Sequence, residues 1–312
     1  MIVVSGEALM DVFAVGDTAT GVLLDARIGG SPFNVALGLA RLAQPVAFFG
    51  GVSTGFLGAR LLRALRDEGI DTRCVHAVDA PTTLSLVGLD ARGVPSYTFM
   101  GTGAADRLLP LAALQRVPSA PAVRAYQFGS YAMVVEPVAS TQRTLVEREH
   151  ARSVIAYDPN IRLNVEPDIR RWQDALQWML PRTTLLKVSD EDLEHLQPGV
   201  DADTFARHAL AQGVALVVVT RGAHGAWAWT ARQHVAVPPV PVQVVDTVGA
   251  GDTFQAAMLT ALAERGWLTR DALLQLGMPA LQSVLAFAAL AAAITCSRRG
   301  ADLPSRKDLP LS

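Results

Sequence analysis

Short β-branched runs alternate with amphipathic segments through most of this sequence, and that alternation constrains the fold more than any other feature. Ile2–Ser5, Val46–Phe49, Ala125–Phe128, Val154–Tyr157, Thr184–Val188 and Ala215–Val219 read as buried strands. Pro32–Ala43, Leu57–Glu68, Pro137–Ala151, Ile169–Met179 and Asp203–Ala211 carry helical periodicity between them. Repeats of this kind build βαβ units, so the expected fold is α/β, with a mainly parallel central sheet and helices on both faces. Ser31-Pro32 predicts an N-cap followed by proline at the first helical position, and Ser189 or Asp190 is placed to cap the segment to Leu196. Phe13–Ile28 and Thr82–Phe99 break the rhythm with period-2 apolar patterns and no helix between, the second bending at Ala91-Arg-Gly93. They predict antiparallel strands outside the main sheet: a small β lid, at about 12–28 and 82–100, on a single domain spanning 1–312.

Of the 312 residues half are apolar, enough for one large core. A net charge of −2 gives no basic field for nucleic acid or an anionic membrane, so neither is an expected partner. Two cysteines, Cys74 and Cys296, outline no disulfide or zinc framework, and a reducing cytoplasm is the expected setting. The N-terminus lacks the basic region of a signal peptide. The longest apolar stretch, Val284 to Ile294, falls short of the roughly 20 residues of a membrane span and reads as a buried helix.

Polar residues follow one strand after another. The first strand leads to Glu7 and Asp11, Val154–Tyr157 to Asp158-Pro-Asn-Ile-Arg162, and Thr184–Val188 carries Lys187 and then Ser189-Asp-Glu-Asp192. Ala215–Val219 delivers Thr220-Arg-Gly222, and an expected strand at Val242–Val245 delivers Asp246. Ligands of open α/β sheets sit outside the carboxyl ends of the strands, so these residues predict an active-site crevice on one rim. Of the 27 Lys and Arg residues only Lys187 and Lys307 are lysines, which makes an internal Lys187 conspicuous.

The sharpest local signal is Val244-Val-Asp246-Thr-Val-Gly249-Ala250-Gly251-Asp252-Thr-Phe254. Glycines let backbone N–H groups close on an anion, and the helix expected to start around Gly251 adds its partial positive charge. Such a hole suits the charge spread over a transferring phosphoryl group. Asp252 beside it can orient an acceptor hydroxyl and take its proton. A bare Gly-x-Gly-Asp would more simply be a tight turn with a capping carboxylate. The full run and the converging rim favour the catalytic reading.

Asp246-Thr-Val-Gly-Ala-Gly-Asp252 resembles the C-terminal signature of ribokinase-like sugar kinases, the phosphofructokinase B family, and Gly29-Gly30-Ser-Pro-Phe-Asn34-Val-Ala36 resembles its N-terminal one. The likeness extends over essentially the whole chain. It implies ATP and Mg2+, with Asp252 as base and the Gly249, Ala250 and Gly251 backbone as anion hole. Asp11, Gly30 and Asn34 match sugar-binding positions, and Arg162 is available to sugar hydroxyls or a carboxylate. Thr220, Gly222 and Gly225 match a nucleotide-binding Thr-x-Gly-x-x-Gly, Lys187 an ATP-phosphate contact, and Phe287–Ala301, with Ala289 and Gly300, the segment over adenine. Asp246, Gly300 and Ser305 fall near a monovalent-cation site that would hold K+, and a homodimer through the lid is the family-level expectation. The family's Asn-x-x-Glu, linked to Mg2+ through water, appears here as Ser189-Asp-Glu-Asp192, one methylene shorter at Asp192. Gly55 stands where relatives often carry Asp.

Within the family, Tyr126-Gln-Phe-Gly-Ser130, Tyr157-Asp-Pro-Asn-Ile-Arg162, Lys187-Val-Ser-Asp-Glu-Asp192 and Ala104-Ala-Asp-Arg107 resemble bacterial fructokinases. The nearest alternatives are 2-keto-3-deoxygluconate kinase and ribokinase. The acid kinases usually carry Tyr-x-Arg on the lid, and Tyr97-Thr-Phe-Met100-Gly101 has no cation, so a neutral sugar is expected. A non-catalytic sugar- or nucleotide-binding regulator would need no Asp252. A Rossmann oxidoreductase would need Gly-x-Gly-x-x-Gly after strand one, and Gly101-Thr-Gly103 follows a lid strand and opens no helix. No Walker A motif and no metal-ligand spacing among the six histidines occurs.

Overall fold

The computed structural model describes residues 1–89 and 95–310, so the bend expected at Ala91-Arg-Gly93 lies outside the described residues. In chain order the first elements are β1 (Ile2–Ser5), β2 (Leu9–Thr18), β3 (Gly21–Gly29), α1 (Ser31–Arg41), β4 (Val46–Phe49), β5 (Gly51–Ser53) and α2 (Phe56–Asp67). There follow β6 (His76–Val78), β7 (Leu84–Leu89), β8 (Pro95–Met100), β9 (Ala125–Gly129), α3 (Val138–Glu149), β10 (Val154–Asp158) and α4 (Ile169–Met179). The chain continues with β11 (Leu185–Ser189), α5 (Asp190–Leu196), α6 (Ala202–Ala211), β12 (Leu216–Thr220), β13 (Ala226–Trp229) and β14 (His234–Val237). Three helices complete it: α7 (Ala250–Glu264), α8 (Arg270–Leu274) and α9 (Met278–Cys296).

Eight strands form the main sheet in the order β14-β13-β12-β11-β10-β9-β1-β4, parallel from β12 to β4 and antiparallel at β13 and β14. Alternate side chains enter opposite cores, as the period of two requires. Ile2, Val4, Leu185 and Val218 pack with α1, α2, α7 and α9, while Val3, Leu186 and Val217 pack with α3, α4, α5 and α6. The chain moves from β1 outward to β4 on one side and then to β9 on the other. That reversal opens the crevice beyond the carboxyl end of β1.

The two segments outside the main sheet form a second sheet, β3-β2-β7-β8. Its two hairpins are antiparallel, but β2 and β7 pair in parallel, which the expectation of antiparallel strands did not include. Register places Arg27, Asp11, Ser85 and Phe99 in one row across it.

Two sequence expectations need correction. Val242–Val245 is not a strand: Pro238, Pro239 and Pro241 remove the N–H donors a further ladder would need, and instead the Val245 and Asp246 amides donate to the Cys296 carbonyl at 2.8 and 3.2 Å. Ser31 is not the N-cap of α1; Gly30 is, with φ of 103°, and no side chain caps that helix. The expectation of a buried helix at Val284–Ile294 holds: it lies within α9, 19 residues with mean hydropathy 1.7, and Val284, Leu285, Phe287, Ala288 and Ala291 are buried in the core. In the fold it packs on α7, on the edge strand β14 and on its neighbour β13. Ser189 does cap α5, accepting from the Asp192 amide at 3.0 Å.

Candidate active site

Asp252 lies in the first turn of α7, behind a glycine N-cap. Gly249 has φ of 79°, and a Cβ there would meet Ala301 Cβ at 2.7 Å, so glycine is required on both counts. The Ala250 amide donates to the Thr247 carbonyl at 3.2 Å, while the amides of Gly251 and Asp252 have no preceding helical turn to receive them. Ala250 opens the helix and Gly251 is exposed beside it.

Two donors from the first turn of α1 hold the Asp252 carboxylate. Ser31 Oγ donates to Oδ1 at 2.6 Å and Asn34 Nδ2 donates to Oδ2 at 2.8 Å. Burial pushes the Asp252 carboxyl above its ordinary range, while those two hydrogen bonds and the charges of Lys187 and Arg162 pull it back. Asp11, on β2, is likewise raised by burial and by Asp252, with the Ser85 hydroxyl and Arg162 opposing. Glycine at 29 serves Asp11 directly, because a side chain there would run into its carboxylate. Gly30 combines its positive φ with close approach, an added Cβ lying 2.9 Å from the Glu7 carbonyl oxygen.

Arg162 follows β10 and donates through Nη1 to the Ile161 carbonyl at 2.8 Å. Its charge bears on Glu7, Asp11, Asp192 and Asp252, which marks it as the shared cation of the crevice. Lys187, on β11, points to the α7 side of the sheet. Its Nζ lies 2.6 Å from Asp158 Oδ2 and 3.4 Å from where a Cβ on Gly251 would stand. Lys187 is not a surface charge: its side chain is buried beside Gly251. Asp192 is also buried, its Oδ1 accepting from the Ile161 amide at 3.1 Å, and burial and the neighbouring Asp158 raise its carboxyl.

Farther along the rim, Thr220 closes β12, and Gly222 and Gly225 both take positive φ in the turn to β13. Ala289 lies in α9. Asp246 accepts from the Val248 amide at 3.1 Å and the Gly300 amide at 2.8 Å, tying the glycine turn before α7 to the segment after α9. Ser305 is engaged elsewhere: with Asp308 it forms a capping box on a short 3-10 turn, and no hydrogen bond joins it to Asp246.

Sequence reading missed three participants. Ser31 looked like a helix cap, and only its approach to a residue 221 positions away reveals its partner. Asp158 appeared on the rim without a role, yet it is the counter-ion of Lys187. Arg107 was noted only as part of a resemblance. Its guanidinium lies over the Tyr131 ring, 5.4 Å from the centroid, and against Gly101. Segment 97–101 has no cation of its own, and the guanidinium packed against its end comes from the turn at 105–107.

A parallel sheet under helices, a second sheet beside its crevice, and a carboxylate at a helix-borne anion hole define a phosphotransferase of the ribokinase-like type. The pfkB family carbohydrate kinase profile matches residues 1–308, and the chain belongs to that family of sugar kinases. It is 35% identical over 283 residues to a fructokinase of Rhizobium leguminosarum bv. trifolii, covering 91% of this chain and 86% of the relative. Among solved structures it is similar to a fructokinase from Xylella fastidiosa with bound ATP, at TM-score 0.86 and 26% identity over 99% of this chain and 94% of that one. A fructokinase from Vibrio cholerae O395 in a fructose-, ADP- and calcium-bound form superposes at TM-score 0.79 and 26% identity, covering 96% and 94%.

Proposed function

We propose that the chain is a fructokinase that transfers the γ-phosphoryl group of ATP to a hydroxyl of fructose. The observation that carries this reading is the Asp252 carboxylate, held by Ser31 and Asn34 beside the glycine hole and within the field of Asp11 and Arg162. Asp252 takes the acceptor proton; the amides at Gly249, Ala250 and Gly251 and the Lys187 ammonium receive phosphate charge; Asp11, Gly30, Asn34 and Arg162 hold the sugar. Thr220, Gly222, Gly225, Ala289 and Gly300 line the nucleotide. The names of the relatives, fructokinases of two bacterial structures and one curated sequence, support the choice of sugar.

Mg2+ enters with ATP. Such an ion is carried largely by phosphate and water. Asp158 Oδ1 is buried without a hydrogen-bond partner, and Asp158 and the neighbouring Asp192 are the carboxylates that would hold the ion, through water at Asp192. The Asp246–Gly300 loop, without the Ser305 hydroxyl, is the candidate K+ neighbourhood. The second sheet acts as a lid on one domain of 1–312, and Val15, Val22, Leu23 and Leu24, each more than half exposed on it, are the surface through which a homodimer forms. The enzyme works in the cytoplasm.

A second reading, 2-keto-3-deoxygluconate kinase, is favoured by one observation, the Arg107 guanidinium beside Gly101. ADP release with ATP, Mg2+ and a panel of fructose, ribose and 2-keto-3-deoxygluconate separates these. Turnover on fructose first is the expected result; no turnover on any sugar would favour a non-catalytic binder.

A further inference from the structure

Ser31 occupies a position that no helix cap or core contact explains. Its hydroxyl is not spent on the backbone of α1, whose N-terminus has no side-chain cap. It goes instead to Asp252 Oδ1 at 2.6 Å, the length of a charge-assisted O–H···O− bond. The backbone beneath it is tightly fixed. Gly30 sits at φ of 103° against the Glu7 carbonyl, and Pro32 follows with its ring-locked φ. The hydroxyl therefore has a set origin from which to reach across to α7.

Asp252 needs such an anchor because cations compete for it. Lys187 on β11 and Arg162 after β10 both bear on its carboxylate, and Asp11 on β2 repels it. A carboxylate drawn into an ion pair with either cation would turn its lone pairs from the acceptor hydroxyl. Lys187 is already engaged with Asp158 at 2.6 Å. Ser31 on one oxygen and Asn34 on the other fix the carboxylate plane, leaving one further lone-pair direction on each oxygen.

We infer that Ser31 is a positioning residue for phosphoryl transfer, holding the Asp252 carboxylate so that a free lone pair faces the acceptor hydroxyl and not a neighbouring cation. This rests on the kinase reading above. The bond also stabilises the ionised carboxylate, so its loss moves the carboxyl upward and has a signature separate from packing.

The test compares wild type, Ser31→Ala and Ser31→Thr in kcat and kcat/KM for fructose from pH 5 to 9, with melting temperatures alongside. Ser31→Ala is expected to lower the plateau kcat about tenfold, the scale of one hydrogen bond to a charged group, and to move the acid limb to higher pH. KM for ATP should change little, and Ser31→Thr, which keeps the hydroxyl, should restore both limb and plateau. A wild-type limb and plateau in Ser31→Ala overturn the role, as does a loss that Ser31→Thr fails to rescue or that follows a lowered melting temperature with an unmoved limb. Wild type without fructose-dependent ADP release overturns the activity itself, and this role with it.

Discussion

The Lys187 ammonium and the Asp158 carboxylate lie 2.6 Å apart, with side chains only 5% and 4% exposed. A buried pair of this kind contributes little net stability, but removing one partner strands the other charge. Lys187→Ala should therefore lower stability by about 3–5 kcal/mol by chemical denaturation as well as raise KM for ATP. Lys187→Arg keeps the charge but brings a planar guanidinium into space beside Gly251, and should cut kcat while binding ATP. Unchanged kinetics in both variants would make the pair purely structural.

Glu7 should make the protein less stable in alkali. Burial, aided by nearby Asp106, pushes its carboxyl up to about 8, against the Ser130 hydroxyl and the Arg162 charge. The folded state thus keeps a proton that the unfolded chain releases near 4.5. This contribution is fully present below pH 4.5 and is lost as pH rises through about 8. The ceiling of the effect is about 5 kcal/mol. Glu7→Gln, neutral at every pH, should melt close to wild type at pH 5 and well above it at pH 9. Parallel melting curves across that range would show that Glu7 is ionised in the fold.

Acceptor choice turns on the rim of the second sheet. Met100 is exposed and uncharged, so fructose should exceed 2-keto-3-deoxygluconate in kcat/KM by tenfold or more, about 1.4 kcal/mol. Met100→Arg should narrow the gap. Arg107→Leu should reduce turnover of the acid and spare fructose if Arg107 reaches the carboxylate. A wild-type preference for the acid would give Arg107 or Arg162 the carboxylate and overturn the neutral-sugar assignment.

Most of this architecture was legible in local pattern, because buried parallel strands such as Val154–Asp158 are continuous apolar runs that end in chemistry-bearing residues. The phosphate turn was legible because positive φ and close packing at Gly249 leave few residues possible. Relations between distant segments were not. Ser31 obeyed a local rule for helix caps and was recruited by a tertiary partner instead. Val242–Val245 had the composition of a strand but followed three prolines with no ladder to join. Arg107 meets Gly101 from a turn that packs on β5, where Gly51 leaves room for the Ala105 carbonyl, and periodicity carries no trace of that.

Asp252 as the base is the central claim, and Asp252→Asn tests it most directly. The substitution removes the charge and replaces one oxygen facing Ser31 or Asn34 with an amide donor, keeping size and backbone. Measured by fructose-dependent ADP release alongside calorimetric binding of fructose and ATP, it should lower kcat by roughly 10² or more while both ligands still bind. Near-normal kcat in Asp252→Asn, with binding intact, would contradict the account.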